Sequence, residues 1–125
     1  TVKMFEVDIR RDFSAAHRLK GYKGNCASLH GHNWTVTVTV QSERLDKIGI
    51  AVDFRKLKTE LDAVLAKLDH SNLNDLDIIC SPNPTSECLA KFIYDRLSAK
   101  INDKRVKVAK VRISESKDTG ATYYE

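Results

Sequence analysis

Between positions 3 and 17 the apolar residues Phe5, Val7 and Ile9 alternate with polar ones, and Phe13, Ala15 and His17 keep the same odd parity. That is the period of a strand with one buried face. Arg10-Arg11-Asp12 interrupts the run and marks a bulge or twist. Positions 21–29 carry Gly21, Gly24 and Asn25, a loop longer than a tight hairpin turn and of the kind that carries function. Positions 32–42 predict a second strand, with Trp34, Val36, Val38 and Val40 on one face and Thr35, Thr37 and Thr39 on the other. The two strands predict an antiparallel hairpin.

After a charged connection at 42–49 and the apolar stretch Ile50-Ala51-Val52, the period changes. Asp53 is placed to cap a helix whose stripe is Phe54, Leu57, Leu61, Val64, Leu65 and Leu68, at helical spacing. Residues 69–75 are polar and rich in turn formers. Ser81-Pro82-Asn83-Pro84-Thr85-Ser86-Glu87 punctuates the chain again. Asn83 or Thr85 caps the second helix, with Pro84 tolerated in its first turn and Glu87 facing the positive end of its dipole. Leu89, Phe92, Ile93 and Leu97 form its apolar stripe.

Residues 106–115 predict a third strand. Its apolar parity shifts between Val108 and Ala109, which predicts either burial on both faces or a bulge. Asp118-Thr119-Gly120 reads as a turn and 121–125 as a short fourth strand. The order is β-β-α-α-β-β: an α+β domain spanning 1–125, one antiparallel sheet backed on one face by two helices. The apolar content of the third strand leaves the other face in need of cover, which predicts an oligomer.

The 125 residues, 42% hydrophobic, suit a modest globular core. No apolar run approaches a membrane span and no leader pattern opens the chain. Three cysteines, at 26, 80 and 88, cannot all pair within one chain. Free thiols predict a reducing, cytoplasmic setting, with Cys80 and Cys88 as small packing residues. The net charge of +4 favours an anionic substrate or weak nucleic-acid binding. The cations are spread along the chain, and no aromatic stacking residues are interleaved with them, which argues against a nucleic-acid module.

Candidate chemistry gathers at Cys26-Ala27-Ser28-Leu29-His30-Gly31-His32. If a strand begins there, His30 and His32 share a face, and in a hairpin His17 ends the facing strand. Three imidazoles converging this way make a metal site with one open position, the catalytic form of a zinc centre. Ordinary core or surface histidines are the plain alternative. Cys26, with Lys20 and Lys23 near it in sequence, is a thiolate base or nucleophile, a fourth ligand, or a simple loop cysteine. Asp69-His70 is an oriented acid–base pair or a helix end with a histidine at its carbonyls. Glu115, in phase with Val111 and Ile113, is a two-pronged acceptor for an amidine-like edge such as that of a pterin or guanine, or a strand-end residue turned to solvent.

Together these residues resemble the 6-pyruvoyltetrahydropterin synthase family, whose bacterial branch includes 6-carboxytetrahydropterin synthase of queuosine biosynthesis. The resemblance runs through Phe13-Ser14-Ala15-Ala16-His17-Arg18-Leu19, Cys26 to Asn33, Val52-Asp53-Phe54, Leu57-Lys58, Leu68-Asp69-His70-Ser71-Asn72-Leu73-Asn74, Pro84-Thr85-Ser86-Glu87 and Ser114-Glu115. It implies the tunnelling fold, in which sheets of several subunits join into a barrel, usually a hexamer of paired trimers with active sites between subunits. It implies zinc on His17, His30 and His32, and Cys26 as the catalytic thiolate. Asp69 and His70 would complete a relay from a neighbouring subunit, and Glu115 would anchor the pterin, helped by Thr85 and Ser86. The implied substrate is 7,8-dihydroneopterin triphosphate. The three-residue spacer between Cys26 and His30 resembles the carboxy branch, whose product is 6-carboxytetrahydropterin with release of acetaldehyde and triphosphate. The pyruvoyl branch, another zinc-dependent lyase or hydrolase, and a non-enzymatic binding module are the alternatives.

Overall fold

A computed structural model describes residues 3–77 and 82–125. The alternating segments form β1 (Phe5–His17) and β2 (His30–Ser42). They pair antiparallel along their whole length, from Phe5 opposite Ser42 to His17 opposite His30. Next come α1 (Phe54–Leu65), a two-residue strand β3 (Ser71–Asn72), α2 (Ser86–Ile101), β4 (Val106–Ser116) and β5 (Thr119–Tyr124). The sheet order is β3-β1-β2-β4-β5. It is mixed rather than wholly antiparallel, because β3 runs parallel to β1 at Ala15 and Ala16. Two residues are too few to give a strand period, and β3 exists only because β1 offers its edge.

The helix caps follow the local chemistry. The Asp53 carboxylate accepts from the Arg55 N–H and opens α1, and the Thr85 hydroxyl accepts from the Cys88 N–H and opens α2. Of the two candidate caps, Thr85 is therefore the one used, and Pro84 lies outside the helix. α1 ends at Leu65, short of Leu68. The Lys67 and Leu68 N–H groups bond three residues back, to Val64 and Leu65, a tightened last turn that still delivers Leu68 fully buried to the core.

Both helices cover one face of the sheet. Ile9, Phe13 and Ala15 of β1, and Trp34, Val36, Val38 and Val40 of β2, meet Leu57, Leu61, Leu89, Ile93 and Leu97 in one core. The parity shift in β4 is a bulge: Thr39 pairs with Lys110 and Val40 with Val108, so Ala109 is passed over. Val108, Val111 and Ile113 are thereby all buried, and Lys107, Lys110 and Arg112 are exposed. The expectation that β4 is apolar on both faces does not hold. The open face is polar, with a threonine ladder at its centre.

The last hairpin also differs from expectation. β5 begins at Thr119, so the turn is Lys117-Asp118 and Gly120 lies within the strand. Cys88 is disulfide-bonded and Cys26 is a free thiol, so the expectation of free thiols fails at Cys88. Cys80 lies outside the described residues. Among the described residues no helix is long and apolar enough to cross a membrane.

Candidate active site

The hairpin register brings the histidines together. His17 stands directly opposite His30, and His32 stands opposite Ala15 on the same face. Ring centroids are 4.7 Å apart for His17 and His30, 4.8 Å for His30 and His32, and 5.3 Å for His17 and His32. One nitrogen from each lies within 4.8 Å of the others. Gly31 between them has open space where a Cβ would stand.

Two main-chain carbonyls set the rings. The His17 Nδ1–H donates to the Pro84 carbonyl at 2.8 Å, and the His30 Nδ1–H to the Ser28 carbonyl at 2.7 Å. Each bond fixes a tautomer whose Nε2 carries a lone pair. The short spacer after Cys26 thus has a structural use, since Ser28 is part of it. The floor is Trp34, fully buried, edge-on to His17 at 4.9 Å and to His32 at 5.2 Å. Its Nε1–H donates to the Ala15 carbonyl.

Nε2 of His17 and Nε2 of His32 are buried and make no hydrogen bond. A buried polar atom without a partner costs about 1–3 kcal/mol. Three imidazole lone pairs facing one point are satisfied by a cation, and the residues present fit one. Burial pulls the His32 pKa below the usual 6.5, Glu115 works against this, and His30 and His17 add to it. His32 is therefore neutral, the ligating form, at pH 7.

Glu115 belongs to this cluster. Its carboxylate lies 3.4 Å from His32 Nε2 and 3.8 Å from His17 Nε2. The Ser86 hydroxyl donates to Glu115 Oε1 at 3.1 Å. The carboxylate is thus turned inward rather than to solvent. The Thr85 hydroxyl, one residue earlier, is engaged as the helix cap.

Cys26 sits half-buried on a 3₁₀ turn, Asn25–Ala27. It is not among the grouped ligand atoms, which come from the three histidines. Its carbonyl accepts from the Leu19 N–H at 2.8 Å. The residues flanking Leu19 are pinned by side-chain amides: Asn74 exchanges two hydrogen bonds with the Arg18 backbone, and Asn83 two with that of Lys20. These asparagines tie the cysteine loop to the segments after α1 and before α2.

The Asp69–His70 pair is formed, with the His70 Nδ1 3.0 Å from the carboxylate. The Ser14 N–H donates to the other Asp69 oxygen at 2.9 Å, and the His70 N–H donates to the Ser14 carbonyl. The Ser14 bond is the first cause of a carboxyl pKa held below the ordinary value, with the His70 ring adding to it. His70 has a φ of 58°, left-handed for a residue with a side chain, a backbone conformation that clusters at functional positions. Its ring is exposed, and it lines an open cleft of about 440 Å³ with His32, Ser14 and Asn33.

The sequence reading found each titratable group at this site. It missed the carbonyls of Pro84 and Ser28, the Trp34 floor and the asparagine ties. The asparagines left a signal, two Asn residues in polar segments that need a use. The carbonyls left none, because every residue has one.

Comparison with family models matches residues 6–125 to the family described as 6-pyruvoyl tetrahydropterin synthase. Over 90 residues the chain is 40% identical to the 6-carboxy-5,6,7,8-tetrahydropterin synthase of Synechocystis, covering 68% of each chain. Relatives of that name range from 31% to 40% identity. Over 88 residues it is 40% identical to the dihydroneopterin monophosphate aldolase of Pyrococcus furiosus, covering 70% of each. The structure of Caenorhabditis elegans 6-pyruvoyl tetrahydropterin synthase is similar with a TM-score of 0.86, at 28% identity, over 99% of this chain and 97% of that one.

Proposed function

The chain belongs to the 6-pyruvoyl tetrahydropterin synthase family, and from that premise we propose that it converts 7,8-dihydroneopterin triphosphate to 6-carboxytetrahydropterin with release of acetaldehyde and triphosphate, in queuosine biosynthesis. The observation that carries this reading is the convergence of three imidazoles whose free nitrogens face one point. A donor set of three histidines with an open position suits zinc. When bound, zinc supplies Lewis acidity toward the substrate's side-chain hydroxyls.

The protein's own groups do the rest. Glu115, oriented by Ser86, accepts the N–H and NH₂ edge of the pterin ring beside the histidines. Cys26 and His70 move protons, with Asp69 holding the His70 ring. Thr85 supports the pterin end from the start of α2. Deprotonation beside the hydroxyl-bearing carbons drives loss of triphosphate, and cleavage of the side chain releases acetaldehyde.

The carboxy product is supported by the spacer of Ala27, Ser28 and Leu29 and by the relatives of that name. The aldolase-named relative, as similar as any of these, makes an aldol cleavage of the monophosphate the second reading. Incubation with dihydroneopterin triphosphate, scoring acetaldehyde and the pterin product, tests the first. A 6-pyruvoyl product without acetaldehyde moves the chain to the pyruvoyl branch. Turnover of dihydroneopterin monophosphate and not of the triphosphate selects the aldolase.

We also propose a closed oligomer. β1 has β3 beside it only at Ala15 and Ala16, and β5 ends the sheet on the other side. Such bare edges invite pairing between copies. With helices on one face, a ring of sheets closes with the open face inward, as in the tunnelling fold, usually a hexamer of paired trimers. A cytoplasmic location accords with such an enzyme.

A further inference from the structure

The open face of the sheet holds a second cluster of charge, apart from the histidines. Arg10 of β1, Thr37 of β2 and Arg112 of β4 lie in one row across three strands. With strands spaced about 4.8 Å, the two arginine backbones are about 10 Å apart. Together with Lys117 of the last turn they line a cavity of about 300 Å³, whose remaining lining is Thr35, Asn33 and serines of β4. Among the described residues no carboxylate forms an ion pair with Arg10, Arg112 or Lys117, and no carboxylate lines the cavity. Asp12, the acid on the same face of β1, is engaged by the Thr35 hydroxyl at 2.9 Å.

Arg112 is seated rather than loose. A Cβ on Gly120 of β5 would collide with its guanidinium, so the arginine lies over the bare glycine. Gly120 has neither a turn nor a positive φ to serve. Its missing side chain makes the bed for this guanidinium. Three like charges held around one polar cavity repel one another and call for an anion with several acceptor oxygens.

We propose that this cavity is an oxyanion site for a polyphosphate group, formed by Arg10, Arg112 and Lys117 with the Thr37 hydroxyl. It stands independently of the chemistry assigned to the histidine cluster. Guanidinium forks match phosphate oxygens two at a time, and the hydroxyl donates a further bond. The polyphosphate comes either as the free inorganic ion or as part of an organic triphosphate.

The test is calorimetric titration of the purified full chain with inorganic tripolyphosphate, without added divalent metal. Saturable binding with one site per chain is expected. Arg112→Gln and Arg10→Gln each weaken it by about tenfold or more, the effect of losing a charge-assisted contact. Gly120→Ala also weakens it, although it changes no charge, because the guanidinium must leave its seat. His32→Ala and the remote charge control Lys58→Gln bind as the unaltered protein does. The proposal is overturned by absence of saturable binding, by an equal loss in Lys58→Gln, or by loss in His32→Ala with full binding in the arginine variants. A parallel titration with a nucleoside triphosphate separates the sources: tighter binding of the ester assigns the site to an organic triphosphate, tighter binding of the inorganic ion to the free one.

Discussion

At the scale of single residues, three side chains carry separable roles. Cys26 lies outside the imidazole cluster, so Cys26→Ala should abolish turnover and leave the metal content of the purified protein intact. Loss of metal in that variant would make the thiol a ligand. Glu115 touches the imidazoles and is oriented by Ser86. Glu115→Ala should therefore weaken pterin binding more than metal binding, measured as separate affinities, and unchanged pterin affinity would remove the anchor role. His32 tests the metal itself. Its pKa is depressed below 6.5, chiefly by burial, so protons compete for its lone pair only at lower pH. Metal content measured against pH should hold through 6.5 and fall at a more acidic midpoint, and His32→Ala should lose metal and activity together. Release of the metal already above 6.5 would contradict that assignment.

At the scale of elements, the site is built by the ends of strands and the start of one helix. α2 contributes its cap region twice over: Pro84 holds the His17 ring, and Ser86 holds Glu115. Thr85 between them caps the helix, which gives the cap a functional consequence. Thr85→Ala should cost about 1 kcal/mol of stability, read as a lower midpoint in denaturant, and should lower activity. Thr85→Ser, which keeps the capping oxygen, should restore both. This segment was legible from Pro84-Thr85-Ser86-Glu87 alone, because capping is local chemistry. β3 was not, because it forms only in answer to the β1 edge. The bulge at Ala109 lay between: the parity shift signalled two outcomes, and only the β2–β4 register chose between them.

At the scale of the whole molecule, the charge pattern of the open face replaces the argument from an apolar face. Lys107, Lys110 and Arg112 need no hydrophobic cover, and the reason for assembly passes to the bare edges of β1 and β5. The particle mass in solution should be a multiple of 14.1 kDa, measured by light scattering on a sizing column. A monomer at working concentration would remove the closed ring. Assembly also bears on His70, whose exposed ring and strained backbone suit a group that serves a neighbouring copy.

The order of side chains along the chain determined the β1–β2 hairpin, both helix caps and the meeting of His17, His30 and His32. Each depends on residues close in sequence or on one antiparallel register, and alternation sets that register. Tertiary structure alone decided which atoms hold those residues in place. The carbonyls of Pro84 and Ser28 have no side-chain signature, Glu115 comes to His32 across the chain, and Gly120 has its use only beneath Arg112. These are consequences of where distant backbones come to rest, which depends on the packing of the whole sheet and not on any local pattern.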